Sequence, residues 1–149
     1  MSANSRFAMA VHTLALLARN QRAISSSQIA NSVNTNPVTI RKVLGSLNTA
    51  GLIETQMGAE GGAILTREPQ TISLLQIYRA TEQKALFAFH PKPPNQQCAC
   101  GRNITGALEC VFDEAEGAML SVLHNKTLAD FLNDMDEHAC LVAEEIPVV

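Results

Sequence analysis

Residues 25–62 limit most sharply what this chain can fold into. Ser25, Ser26 and Ser27 offer hydroxyl caps ahead of a short helix running from Gln28 to Val33. Asn34, Thr35 and Asn36 form a turn cluster. Pro37 follows at a position where a first helical turn tolerates proline, with Asn36 as the cap. Ile40, Val43, Leu44 and Leu47 then recur at helical spacing through Ala50, and Gly51 stops the helix. Two short apolar runs, residues 52–55 and 63–66, flank Gly58, Gly61 and Gly62 and predict a hairpin. Helix, tight turn, second helix and glycine-rich hairpin together outline a winged helix-turn-helix. The second helix of such a unit has the size of the DNA major groove.

Upstream, Phe7, Val11, Leu14 and Ala18 repeat at helical spacing and predict a core helix over residues 5–20. Arg6 before an apolar run imitates a secretion signal, but His12 and Thr13 interrupt it and Arg19 follows without a cleavage site. No run approaches the ~20 apolar residues of a membrane span. The protein is therefore expected to be soluble and cytoplasmic, with its cysteines reduced at rest.

Downstream, Ser73 caps a helix over residues 74–80. Pro91, Pro93 and Pro94 break the pattern between about 85 and 101. A long helix is predicted from Arg102 or Asn103. In it Ile104, Leu108, Val111, Ala115, Ala118 and Val122 alternate steps of four and three, the spacing of a coiled-coil seam. Phe112, Met119 and Leu123 form a second stripe beside it. A domain this small has little core to cover both stripes. Ile104, Leu108, Val111, Ala115 and Val122 are thus expected in a homodimer interface. Thr127 and Asp130 form a capping box for a last short helix over 128–135, followed by a tail. The expected fold is mainly α with a small β-hairpin wing. Residues 1–70 would be the winged DNA-binding domain and 71–101 a linking helix with a cysteine-bearing loop. Residues 102–149 would hold the dimerisation helix, a short helix and a tail.

Charge agrees with contact through the front of the chain. Residues 1–68 carry six Lys or Arg and three acids, a balance of +3. The remainder is acidic enough to bring the whole chain to −3. With the buried row of the second helix inward, Val38, Thr39, Arg41, Lys42 and Gly45 face outward or sideways. Arg41 can bond a guanine edge in two places, and Val38 or Thr39 can meet a thymine methyl. Lys42, Arg6, Ser26 and Ser27 suit phosphate. Asn36 at the helix start, and Gln56 and Gly58 in the wing, complete the expected contacts to double-stranded operator DNA. Glu60 opposes phosphate and is expected to point away.

The four cysteines admit several chemistries. Cys110 suits apolar filling. Cys98 and Cys100 precede a helix start, which lowers a thiol's pKa and favours attack by oxidants. Cys100 is the leading sensor, with Cys98, Cys110 or Cys140 as partner in a disulfide. A zinc site from Cys98, Cys100, His90 or Cys110, an iron–sulfur cluster, and a small effector near the long helix are the other readings. No phosphate loop, Ser/His/Asp set or paired-carboxylate motif points to an enzyme. A winged-helix protein-docking module without a DNA site is the rival class.

Several segments resemble the Rrf2 family of bacterial transcription regulators, most closely its YwnA-like branch. They are Arg6 to Val11, Gln28-Ile29-Ala30, Asn48 to Ile53, Gly58 to Gly62, Ser73 to Ala80 and Thr127 to Asp130, with the Val33 to Val38 turn carrying the branch likeness. The resemblance implies a homodimer, a winged-helix reader at each end, a long helix crossing between subunits, and regulation through cysteines that often hold an iron–sulfur cluster; the chain is expected to act as a repressor. Two places depart from that pattern. Only Ala99 separates Cys98 from Cys100, where cluster-binding members space three cysteines by several residues each. Met57 stands where members often carry a minor-groove Arg, and His12 lies in the helix that supplies some members with a further ligand.

Overall fold

Ser25 and Asn36 decide where the two central helices begin. The computed structural model describes residues 3–82 and 84–145, with side chains for 5–82 and 84–139. Ser25 Oγ accepts the Gln28 N–H at 3.2 Å, while Gln28 Oε1 accepts the Ser25 N–H at 3.0 Å. This reciprocal cap opens α2, Ser26–Val33. Asn34 takes the left-handed conformation, φ 59°, and ends it. Asn36 Oδ1 accepts the Val38 N–H at 2.8 Å and opens α3, Pro37–Thr49, with proline in its first turn.

The predicted inward row of α3 is buried: Ile40, Val43, Leu44 and Leu47. It packs with α1, Ala3–Arg19, through Ala10 and Leu14, and with Ile29, Ile53, Ile77 and Leu128 in one core. Removing a side chain such as Leu14 or Ile40 would cost about 2–5 kcal/mol. Phe7 on α1 meets Tyr78 of α4, Leu74–Thr81, edge to face at 5.6 Å.

Strands β1, Ile53–Gln56, and β2, Gly62–Leu65, pair antiparallel, with Ile53 opposite Leu65 and Gln56 opposite Gly62. The hairpin is pinned at its base by Ile24, whose N–H donates to the Ala63 carbonyl at 3.1 Å and whose carbonyl accepts the Ala63 N–H at 2.9 Å. Gly62 allows that approach: a Cβ there would lie 2.4 Å from the Ile24 carbonyl carbon.

Two compact units are distinguished, one comprising Met1–Gln83 with Leu123–Val149 and the other Lys84–Val122. In the first, Ser73 and Thr127 are bridged. The Leu74 N–H donates to Lys126 and the Leu128 N–H to Ile72, each at 2.8 Å. Ser73 with Gln76 caps α4, and Thr127 with Asp130 caps α6, Leu128–Glu145. The last helix thus continues past the expected 128–135 into the segment read as a tail. Asp136, placed on the tail by sequence, instead pairs with Arg19 at 2.6 Å from within the helix.

The second unit also corrects a boundary. The long helix α5 is Ala99–Asn125 and starts three or four residues before Arg102 or Asn103. Asn95 makes the difference. Its Oδ1 accepts the Gln97 N–H at 2.9 Å and its carbonyl accepts the Cys98 N–H at 3.3 Å, turning the chain into the helix. Gly101 sits inside the first turn, so close to the Asn95 turn that a Cβ there would lie 2.1 Å from the Asn95 carbonyl oxygen. Phe87 and Phe89 pack on Phe112 at 4.6 and 5.3 Å. No residue of α5 is buried, and Val111 and Val122 stay 59% and 66% exposed. No helix among the described residues is long and apolar enough to cross a membrane.

Candidate nucleic-acid interface

The outer face of α3 and the inner edge of the wing form a shallow trough of about 370 Å³. Leu44 and Ala63 make its floor. Arg41, Gly45 and Asn48 line the α3 side, with Thr55, Gln56 and Gly62 across from them and Ser26 at the end. Arg41, Gly45 and Asn48 share one stripe because residues four and three apart stack on a helix face. The trough presents hydroxyl and amide groups that donate to phosphate or base edges, beside the Arg41 cation.

Three residues expected to touch DNA, Ser26, Arg41 and Gln56, are thus brought together here. Ser27 and Lys42 are exposed and do not line the trough. Val38 is exposed at the start of α3 and Thr39 is half-buried. The Asn36 side chain is already engaged in its cap. Gly58 stands at the wing tip with φ 112°, next to Met57, which is 96% exposed. Arg6 lies elsewhere: its Nη2 donates to Ser46 Oγ at 3.4 Å. Glu60 is exposed and does not line the trough. Asn48 and Thr55 escaped the sequence reading. Asn48 was findable, since it follows Arg41 by two helical turns. Thr55 was not, since its facing depends on the hairpin's register.

Cys98, Cys100 and Cys110 are free and exposed. Cys100 lies inside α5 rather than in a loop before it. Cys98 is the residue just ahead of the helix. Backbone N–H groups of Gly101 first and Cys100 second bond its sulfur and hold its pKa below the ordinary thiol value. Cys140 falls on α6, its side chain outside the described ones. His12 is not drawn to the cysteines; its Nε2 lies 3.0 Å from Ser32 Oγ.

Among the described residues these donors do not converge on one metal ion. Cys110 follows Cys100 by ten helical residues, about 15 Å along the axis. Among the described residues no three His, Cys, Asp or Glu side chains converge as metal ligands.

Comparison with known proteins agrees with the geometry. The sequence model of the Rrf2 family, described as "Iron-dependent Transcriptional regulator", matches residues 3–134. The HTH-type protein YwnA of Bacillus subtilis (strain 168) is 41% identical over 133 residues, covering 89% of this chain and 98% of that protein. The HTH-type transcriptional regulator NsrR of Halalkalibacterium halodurans is 32% identical, covering 79% of this chain and 80% of that one. The solved structure of T. potens IscR superposes with a TM-score of 0.69 at 26% identity, covering 93% of this chain and 90% of that one.

Proposed function

The chain belongs to the Rrf2 family and is a DNA-binding transcription regulator, not an enzyme; from that premise we propose that it is a cytoplasmic, homodimeric repressor released from its operator by thiol oxidation. The exposure of Val111, midway along the apolar row of α5, and of Val122 at its end supports the dimer. In the proposed dimer Ile104, Leu108 and Ala115 would close the same seam. Each α3 enters a major groove, with Arg41 on base edges and Lys42 on phosphate.

One observation carries the sensing step. Cys98 sits at the N-terminus of α5, where two backbone N–H groups favour its thiolate. The thiolate attacks a peroxide oxygen, the O–O bond breaks, and a sulfenic acid and one water result once a proton is taken up. A second thiol, Cys100 or Cys140, or Cys110 of the partner subunit, attacks that sulfur and expels a second water, leaving a disulfide. Peroxide is reduced and two thiols are oxidised. The first turn of α5 holds Cys98 in place through Asn95 and Gly101, so a new bond there strains the helix start. Half-sites are read only when the two α3 helices keep their spacing. A thiol reductant reverses the change.

The test is a DNA titration of parent, Cys98→Ser and Cys100→Ser, each with and without peroxide, alongside thiol counting. Oxidised parent should bind its selected duplex at least ~10-fold more weakly. Cys98→Ser should bind like reduced parent and ignore peroxide. Equal binding by oxidised and reduced parent, with thiol loss confirmed, would refute oxidant control.

A further inference from the structure

Gly45 has no reason to be glycine inside this molecule. It lies in the interior of α3, and a Cβ built on it meets no atom within 4 Å. Its backbone is ordinary helix; positive φ among the described glycines is confined to Gly51, Gly58 and Gly62. Glycine in a helix interior costs stability relative to alanine. Gly106 and Gly117 of α5 are equally open, and what sets Gly45 apart is its place. It is exposed in the wall of the trough, one turn after Arg41 and one turn before Asn48.

Resting on the reading of α3 as the major-groove helix, we propose that the DNA strand dividing the major from the minor groove seats in this trough across Gly45. A helix in one groove and a hairpin directed at the next leave a single sugar–phosphate strand between them. That strand offers only acceptors on its phosphates. Beside the Arg41 cation, the trough meets it with uncharged donors: the Ser26 and Thr55 hydroxyls and the Asn48 and Gln56 amides. Gly45 is where the α3 backbone comes nearest to the sugar. A side chain there would prop the helix away and lengthen those hydrogen bonds together, and such bonds weaken quickly with distance and angle. Gly45 is thus a positioning residue, and Asn48 a contact on the same strand.

The experiment uses full-length parent, Gly45→Ala and Gly45→Gln. Each is melted, then titrated with a duplex selected by the parent from a randomised pool and with a random duplex. Both variants should melt at higher temperature than the parent, because alanine and glutamine favour helix. Binding to both duplexes should nonetheless fall, by roughly 5-fold for alanine and roughly 50-fold for glutamine, since the strand is shared by every sequence. Asn48→Ala should weaken both duplexes too. Gly45→Gln melting higher while binding both duplexes like the parent would overturn the proposal. Parent that binds random duplex without salt dependence would instead overturn the DNA reading beneath it.

Discussion

Gly62→Ala should loosen the wing and, through it, the whole domain. The added Cβ would lie 2.4 Å from both the carbonyl carbon and oxygen of Ile24 and 2.8 Å from its nitrogen. All three are backbone atoms, so no side chain can swing aside. The clash is relieved only by parting Ile24 from Ala63. That breaks the two hydrogen bonds at 3.1 and 2.9 Å that tie the wing to the start of α2. Each is worth about 0.5–1.5 kcal/mol net, so their loss costs about 1–3 kcal/mol. Ala63 is buried in the core and moves with them. At about 2 kcal/mol the urea midpoint should drop by about 1 M, with unchanged slope. The melting temperature should fall by roughly 4–8 °C. Because Gly62 and Ala63 line the trough, DNA affinity should fall as well, even at temperatures where the variant is fully folded. Gly58→Ala is the control. Its φ of 112° is strained for alanine, but its Cβ meets nothing within 4 Å, so it should cost only local strain. Circular dichroism in urea decides the matter. A Gly62→Ala midpoint equal to the parent's would refute the steric reasoning.

Arg41→Ala should weaken binding to a selected duplex by about 1–3 kcal/mol. Lys42→Ala should weaken selected and random duplexes alike and flatten the salt dependence, by about 0.9 in log–log slope for each phosphate no longer neutralised. Both are read by titration at several salt concentrations, and parent-like binding by both would displace α3 from the groove. Leu108→Glu should yield monomer or insoluble protein in sedimentation, because in the proposed dimer a carboxylate in the α5 seam would be buried without a partner. Parent sedimenting as a monomer would sink that reading first. Asp130's carboxyl is held below its ordinary value, chiefly by the Thr127 N–H and then by its hydroxyl. A depressed folded-state pKa adds stability above the unfolded value, and that stability is lost as pH falls through the folded one. Asp130→Asn should therefore show a shallower loss of stability than the parent on acidification below about pH 4. In a variant whose other cysteines are serine, Cys98 should alkylate with a pH midpoint below that of the urea-unfolded chain, because folding favours its thiolate.

The winged unit was legible because each of its boundaries is set by local chemistry. Ser25, Asn36 and Ser73 stop and start helices through their own side chains, and the spacing of Ile40, Val43, Leu44 and Leu47 fixes the buried face of α3 without reference to anything distant. The two places where expectation and structure part are governed by interactions made elsewhere in the chain. The last helix was expected to end near Met135, because Asp136 and Glu137 look like the start of an acidic tail. The Arg19 side chain, 117 residues away, answers Asp136 with an ion pair and a second bond to the Leu132 carbonyl. The start of α5 was misplaced because the break set by the prolines was carried through Gly101. In the structure its missing side chain lets the Asn95 turn fold onto the first helical turn, which only the backbone path reveals. That shift of three residues carries the chemistry with it. It moves Cys100 from the loop before the helix to a position within it, and leaves the backbone N–H groups of Gly101 and Cys100 to Cys98. The backbone path set by a carbonyl three residues before Cys98 is thus why the proposed chemistry is assigned to Cys98, where the sequence favoured Cys100.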